Sequence, residues 1–290
     1  MSVKKLSIII VTHNSHEYLE KCLESLNFLK QELSFEIIVV DNASRENSGG
    51  AIDAKGLDIT WVKNQINYGF SHAVNQALRM VKTEYCLWLN PDSELLNAGV
   101  AEMITYMDQN PKVGILGPKI QNPDGGIQFS CRTFPNHLTA LFNRYSILTR
   151  LFPKNHFTKN YLHTDWDRAI VHDVDWVSGA CLLMRSELLH GVGFLDERFF
   201  MYCEDVDYCF RAKRLGWNIQ YHPAATILHH IGGSSRKLRS RMIIERHKSM
   251  WRYYEKHYSR NFFLDVVTAV GILARCLFVL FSDFIGLLRG

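Results

Sequence analysis

LSIIIVTHNSHEYLEKCLESLNFLKQELSFEIIVVDNAS, residues 6–44, is the stretch on which the fold turns. Its two β-branched runs, LSIIIV and FEIIVV, are apolar nearly throughout. A strand with one wet face alternates polar and apolar residues, so a continuous run marks a strand covered on both faces. Between them, Ser15 to Lys30 carries apolar residues at helical spacing. The same alternation continues through ITWV, a helical pattern from Phe70 to Val81, EYCLWL, a second pattern from Leu95 to Asn110, and VGIL. Short buried strands separated by amphipathic helices predict a parallel sheet with helices on both faces. Residues 1 to about 120 therefore read as one α/β unit.

Bulk composition agrees with a folded, globular chain. It has 290 residues, 47% apolar and 21% charged, which is enough for one large core or two modest ones. The net charge of +4 is small but uneven. Residues 236–260 hold nine Lys or Arg against Glu245 and Glu255 alone, a local basic surface. Seven cysteines, with no C-x-x-C pair, read as reduced and mostly buried thiols. The apolar run after Lys4 and Lys5 stops at Thr12 without a small-residue cleavage site, so it reads as a first strand rather than a leader.

Ligands of such sheets bind where strands end. Here the exits read VTHN, VDNAS, KNQINYGF and LNPDS. Asn, Asp and Gly also make turns and caps, but four polar exits on one edge indicate a polar ligand. Neither G-x-G-x-x-G nor G-x-x-x-x-G-K-[ST] follows the first strand, so neither common phosphate cradle is present. Asp41 and Asn67 can instead meet a nucleotide's base or ribose. Asp92 offers an oxygen ligand for Mg2+ or Mn2+, which need few protein ligands when phosphates supply the rest. His229 or His230, ahead of Gly232 and Gly233, can give another. Residues 121–172, with Pro123, Pro135 and Pro153, read as a loop-rich insert suited to acceptor contacts.

The stretch FMYCEDVDYCFRAKRLGW, residues 200–217, sets carboxylates among aromatics and thiols. A helix starting near Glu204 places negative charge in its first turn, where the macrodipole favours it. Asp207 and Arg211 are i,i+4 partners and read as a structural pair. Glu204 and Asp205 remain, and one of them can serve as a general base if this turn faces the cleft.

Taken in order, VTHN, VVDNAS, NQINYGF, LNPDS, DWVSGACLLMRSELLHGVGFLDERFFMYCEDVDYCFRAKRLGW and ILHHIGG resemble glycosyltransferase family 2, the inverting enzymes of GT-A fold, from Leu6 to about Ser235. The nearest likeness is to bacterial rhamnosyltransferase-like members. The resemblance implies a GT-A mixed sheet with helices on both faces. It divides the chain into a catalytic domain at 1–235, whose residues 1–120 bind the nucleotide-sugar and 121–235 the acceptor, and a tail at 236–290. It assigns Thr12, Asp41, Asn67, Gly69, Asn90 and Asp92 to the donor. Asn90 replaces the first acid of the family's D-x-D motif. Asp92 and His229 would hold the divalent metal, with His230 an alternative. Asp205 would be the base and Glu204 its helper. The implied donor is dTDP-L-rhamnose or a UDP-sugar, and the implied acceptor a polyprenyl-diphosphate-linked saccharide. Lacking the Q-x-x-R-W motif, the chain resembles single-addition members rather than processive synthases.

The tail runs from a basic, aromatic helical pattern into FFLDVVTAVGILARCLFVLFSDFIGLL, residues 262–288. Its most apolar part, Val266–Phe281, is slightly short for a span and contains Arg275, which costs about 2.5 to 3.5 kcal/mol at a bilayer centre. The expectation is an in-plane or re-entrant helix on the cytoplasmic face of a bacterial inner membrane, or else a packed pair or homodimer contact. No nucleic-acid partner is expected. A non-catalytic binder of the same fold and a nucleotidyltransferase are the competing readings. The first would tolerate loss of Asp92, Asp205 or His229, and the second calls for a Gly-rich basic loop after the first strand.

Overall fold

The computed structural model describes residues 4–45, 56–135, 166–230 and 239–289. Gly232, Gly233 and most of the 121–172 insert lie outside the described residues. Strands β1 (Leu6–Thr12), β2 (Phe35–Asp41), β3 (Ile59–Lys63) and β4 (Tyr85–Leu89) form the first half of the sheet, with helices α1 (His16–Ser25) and α2 (Phe70–Leu78) between them. Then follow β5 (Ser93–Leu95), α3 (Val100–Gln109), β6 (Val113–Gln121), β7 (Cys131–Arg132), β8 (His172–Asp173), β9 (Trp176–Val177) and β10 (Cys181–Arg185). The chain continues with α4 (Leu188–Gly191), α5 (Glu204–Arg214), β11 (Asn218–His229), α6 (Arg239–His257) and α7 (Phe262–Arg289).

The main sheet runs β3-β2-β1-β4-β10-β6-β11-β5, with β8 beside β11. Its apolar runs explain its two-sided burial. Leu6, Ile8 and Ile10 of β1 join α1 and α3 in one core, while Ile9 and Val11 face the other with α2 and α5. The mixed α/β architecture is thus as expected, with three differences of detail. The parallel block stops at β4, because β10 from the second half inserts antiparallel between β4 and β6. The pattern expected to be helical from Leu95 begins as a strand, since β5 pairs with the end of β11, and the helix starts only at Val100. Helix α2 ends at Leu78, short of Val81. All seven cysteines are free, and six are buried.

The tail is less separate than its composition implies. Tyr253 of α6 is buried in the core shared by α2 and α5. Lys256 and His257 each reach Asp207 Oδ1 at 2.7 Å, and Asp207 Oδ2 accepts from Arg211 Nε at 2.9 Å. The Asp207–Arg211 pair is present as read, but it is half of a buried cluster that anchors the tail. Burial alone would raise the Asp207 carboxyl; His257, Arg211 and Lys256 together hold it below the usual carboxylate range. Part of the basic segment is therefore consumed by the fold rather than displayed.

Candidate active site

The site lies along the carboxyl ends of β1, β2 and β4. Parallel register sets Thr12 beside Asp41. Both are buried, and Thr12 Oγ1 has no hydrogen-bond partner among the described residues. Asp41 Oδ1 accepts the Ser44 N–H at 2.9 Å, closing the turn after β2. The next residue organises this edge. Asn42 Nδ2 donates to Asn67 Oδ1 at 2.9 Å and to Gly69 O at 3.1 Å, while its Oδ1 accepts from Asn64 Nδ2 and Tyr68 N, each at 3.1 Å. Asn67 Oδ1 also accepts the Gly69 N–H. Asn67 and Gly69 are thus locked to β2 through Asn42, a residue the sequence reading passed over as a turn former.

Gly69 has φ of 92°, and a Cβ there would meet Phe200 O at 2.6 Å. Phe70 N–H donates to that same oxygen. Only glycine lets this loop press against the chain leading into α5. Two residues further on, Tyr202 and Cys203 both have positive φ, 71° and 65°. Such conformations cost energy in non-glycine residues and persist only where the surroundings enforce them. They aim the first turn of α5 at the strand exits.

Antiparallel strands then do what parallel ones cannot: they bring strand starts to strand ends. Because β10 pairs antiparallel with β4, Cys181 lies opposite Leu89, and the turn Ser178–Ala180 sits over the β4 exit. Gly179 N–H donates to Asp205 Oδ2 at 2.9 Å, and Ala180 O accepts from Asn90 N at 3.0 Å and Ser93 Oγ at 3.2 Å. Asp205 and Asn90 are thus held by consecutive residues of one turn. Likewise, β11 pairs antiparallel with β5, placing His229 opposite Ser93 and its Nε2 3.5 Å from Asp92 Oδ1.

The choice between the two histidines is decided by their partners. His230 Nε2 faces Glu94 Oε1 at 3.2 Å, and its ring lies against Tyr18. His229 Nδ1 meets Gln128 Oε1 at 2.9 Å. Gln128 Nε2 donates to the backbone oxygen of His229 and to Asn122 Oδ1, both at 2.8 Å, which fixes the amide's orientation. Nδ1 must then donate, and Nε2 is the ring nitrogen turned toward Asp92. A buried carboxylate and an imidazole so arranged form an O/N donor set that suits Mg2+ or Mn2+. Among the described residues no cluster of three or more His, Cys, Asp or Glu could hold a metal alone, so a cation here needs oxygens from a ligand. Gln128 lies in an irregular loop after β6, where no periodicity marks it.

Glu204 and Asp205 differ in surroundings. Burial and the Asp205 charge push the Glu204 carboxyl well above its usual range, and its Oε2 has no hydrogen-bond partner among the described residues. Burial also raises Asp205, but it accepts backbone N–H bonds from Gly179 and Val206, and Arg132 stabilises its charge. Of the two, Glu204 is the carboxyl pushed well above its range, while Asp205 has the partners that favour its charged form. Arg132, also missed in the sequence, stacks 5.2 Å from the Trp176 ring. With Trp176, Ile127, Gln128, Ser130 and Ser178 it lines a cavity of ≈ 170 Å³. A larger cavity, ≈ 560 Å³, opens between Lys30–Phe35 and Gly56–Asp58, at the amino ends of β2 and β3, away from these groups.

Comparison with known proteins identifies the family and the fold. Residues 7–172 match the family described as glycosyl transferase family 2. The chain is 28% identical over 265 residues to the N-acetylglucosaminyl-diphospho-decaprenol L-rhamnosyltransferase of Mycobacterium tuberculosis, covering 88% of this chain and 85% of that one. It is 28% identical over 256 residues to rhamnosyltransferase WbbL of Escherichia coli, covering 85% and 91%. In fold it is similar to the mannosyltransferase PcManGT of Pyrobaculum calidifontis, solved with GDP-Man and Mn2+, at a TM-score of 0.60 and 15% identity over 96% of this chain and 72% of that one. GalNAc-T7, solved with UDP, GalNAc and Mn2+, gives 0.59 at 13% identity, covering 79% and 44%. The chain belongs to glycosyl transferase family 2 and is a glycosyltransferase of GT-A fold.

Proposed function

We propose that the protein moves L-rhamnose from dTDP-L-rhamnose to a hydroxyl of a polyprenyl-diphosphate-linked saccharide, by one displacement that inverts the donor carbon. The donor and acceptor classes rest on the names of the relatives with which it shares most of its length. The observation that carries the chemistry is the Ser178–Ala180 turn, which ties Asp205 to the β4 exit beside Asp92 and His229.

In this reading Thr12, Asp41 and the Asn42-braced loop of Asn67 and Gly69 receive the nucleotide. Asp92 and His229 would hold Mg2+ or Mn2+, which supplies positive charge to the departing diphosphate. The acceptor enters from the Arg132 and Trp176 side. Asp205 takes the proton of the acceptor hydroxyl as its oxygen bonds to the anomeric carbon, and the bond from that carbon to the diphosphate breaks. Glu204, protonated, keeps a second negative charge out of the turn. A lipid-linked acceptor places the reaction at a membrane, on the cytoplasmic side where nucleotide-sugars are made.

The test is turnover with a panel of nucleotide-sugars and a short-chain lipid-diphosphate acceptor. The expected outcome is transfer from dTDP-L-rhamnose well above that from UDP-sugars. Preferred use of a UDP-sugar would replace rhamnose in this reading, and hydrolysis without transfer would remove the acceptor class.

A further inference from the structure

Helix α7 wears its polarity inside out. Asp265, Arg275 and Asp283, its charged residues within 262–285, all lie on the partly or fully buried side, along with Thr268, Ile272 and Cys276. The opposite side exposes Phe263, Val267, Val270, Leu277, Phe278 and Phe281, each at 59% or more. At 3.6 residues per turn the exposed positions cover roughly 200° of the helix over about 33 Å, and Ser282 is the one polar residue among them. The Arg275 side chain, whose cost was set against a span, is not directed to the apolar face. The expected length is corrected too, since Phe262–Ile285 is long and apolar enough to cross a membrane.

The element that covers the inner side decides between crossing and lying flat. Tyr254 OH donates to Asp265 Oδ1 at 2.7 Å, near the start of α7 and the end of α6. The helices pack against each other along their length, and after burial and the Ile243 carbonyl, Arg275, ten residues further along α7, acts on His247, seven residues back along α6. The two helices therefore run antiparallel side by side. Helix α6 is polar, with Arg241, Glu245, Arg246, Lys248 and Arg252, and it is fastened to the catalytic domain by Lys256, His257 and the Ser249 Oγ bond to Met201 O. Were α7 to cross a bilayer, α6 and the edge of the domain would enter the hydrocarbon with it, at several kcal/mol per charge.

We infer that α7 lies in the plane of a membrane interface, its outer half immersed in the acyl region of an anionic leaflet and α6 riding above it as the mount for the catalytic domain. An arc of 200° suits half-immersion; it is too narrow for a lone span and wider than the seam one facing helix covers. Arg260, exposed in the turn before Phe262 and Phe263, would stand at headgroup level, in a segment of nine Lys or Arg to two Glu. The inference deepens the proposed lipid-linked acceptor but stands on α6 and α7 alone.

The experiment adds the full-length protein to sealed phosphatidylcholine vesicles with and without phosphatidylglycerol. A cysteine appended after Gly290 is probed with a membrane-impermeant maleimide, the unmodified chain giving the background. The expected result is stronger binding to the anionic vesicles, full labelling of the appended cysteine without detergent, and binding about tenfold or more weaker in F278D/F281D at an unchanged Tm. Labelling only after detergent would mean that α7 crosses, and would overturn the inference. So would a soluble dimer that ignores vesicles and dissociates in F278D/F281D, which would make a second copy the occupant. Transfer to a water-soluble acceptor, measured in the same samples, reports separately on the proposed function: its loss with binding intact would count against that function and not against this placement.

Discussion

The two ends of the site are built by opposite means. On the proposed donor side, Thr12, Asp41 and Asn42 come from adjacent parallel strands, and the loop from Asn64 to Gly69 is tied to them by amide hydrogen bonds. On the proposed catalytic side, antiparallel β10–β4 and β11–β5 pairs bring Asp205 to Asn90 and His229 to Asp92, and parallel β6 and β11 end together so that Gln128 and His229, 101 residues apart, meet. Apart from Asp41 the first end is built from neutral amides, and every bond of its central one, Asn42, is satisfied. The second gathers three carboxyl groups in the first turn of α5, Glu204, Asp205 and Asp207, the last within a buried ion cluster. A neutral amide network holds shape at any pH, whereas a buried charge cluster couples shape to protonation.

This contrast can be broken most sharply at Asp205. D205N keeps the side chain's size and removes the proposed base, and the expected result is a loss of roughly 10²- to 10⁴-fold in kcat with donor affinity nearly unchanged. Comparable losses in donor binding would mean that the two ends are not separable. Next in size is D207N. Removing one partner of a buried ion cluster leaves Arg211, Lys256 and His257 facing each other, so unfolding free energy should fall by about 3 kcal/mol or more. The same change in Tm without loosening of α6, read by hydrogen exchange, would sever the tail from that cluster.

A smaller effect is expected at Gln128. Q128A leaves both proposed metal ligands in place but frees the His229 tautomer. It should raise the Mn2+ concentration needed for half-maximal activity by about 10- to 100-fold, with Q128E recovering part of it. An unchanged metal requirement would return Gln128 to a purely structural role. The smallest effect is that of E204Q on stability. The folded pKa of Glu204 is raised, so its contribution is fully present below the unfolded value of about 4.3 and is lost as pH rises. E204Q should therefore melt above the wild type at pH 8, with the difference closing toward pH 4. An equal difference at both pH values would show that Glu204 is not the proton holder.

The donor edge was largely legible in the sequence, because a strand exit announces itself as an apolar run ending in a polar residue. Thr12, Asp41 and Asp92 each stand at such an exit, as read. Even there Asn42 was hidden, since its role depends on amide partners 22 to 27 residues away. The catalytic edge was legible only as separate residues. Nothing local tells His229 from His230, whereas the β11–β5 register and the Gln128 amide do. Arg132 and Gln128 lie where no period exists to mark them. In the tail, composition revealed an apolar helix but not its phase. The eighteen residues from Asp265 to Asp283 make about five whole turns, and Arg275 lies roughly 80° from that line, so the spacing held the signal that these charges share a side.

Central to this account is a single base and a single displacement at the head of α5. Its most direct test is the anomeric configuration of the product, read by NMR from the one-bond carbon–hydrogen coupling at the transferred sugar's first carbon. The account predicts the configuration opposite to the donor's. A product that keeps the donor's configuration would require two displacements or front-side attack, and would contradict the role given to Asp205.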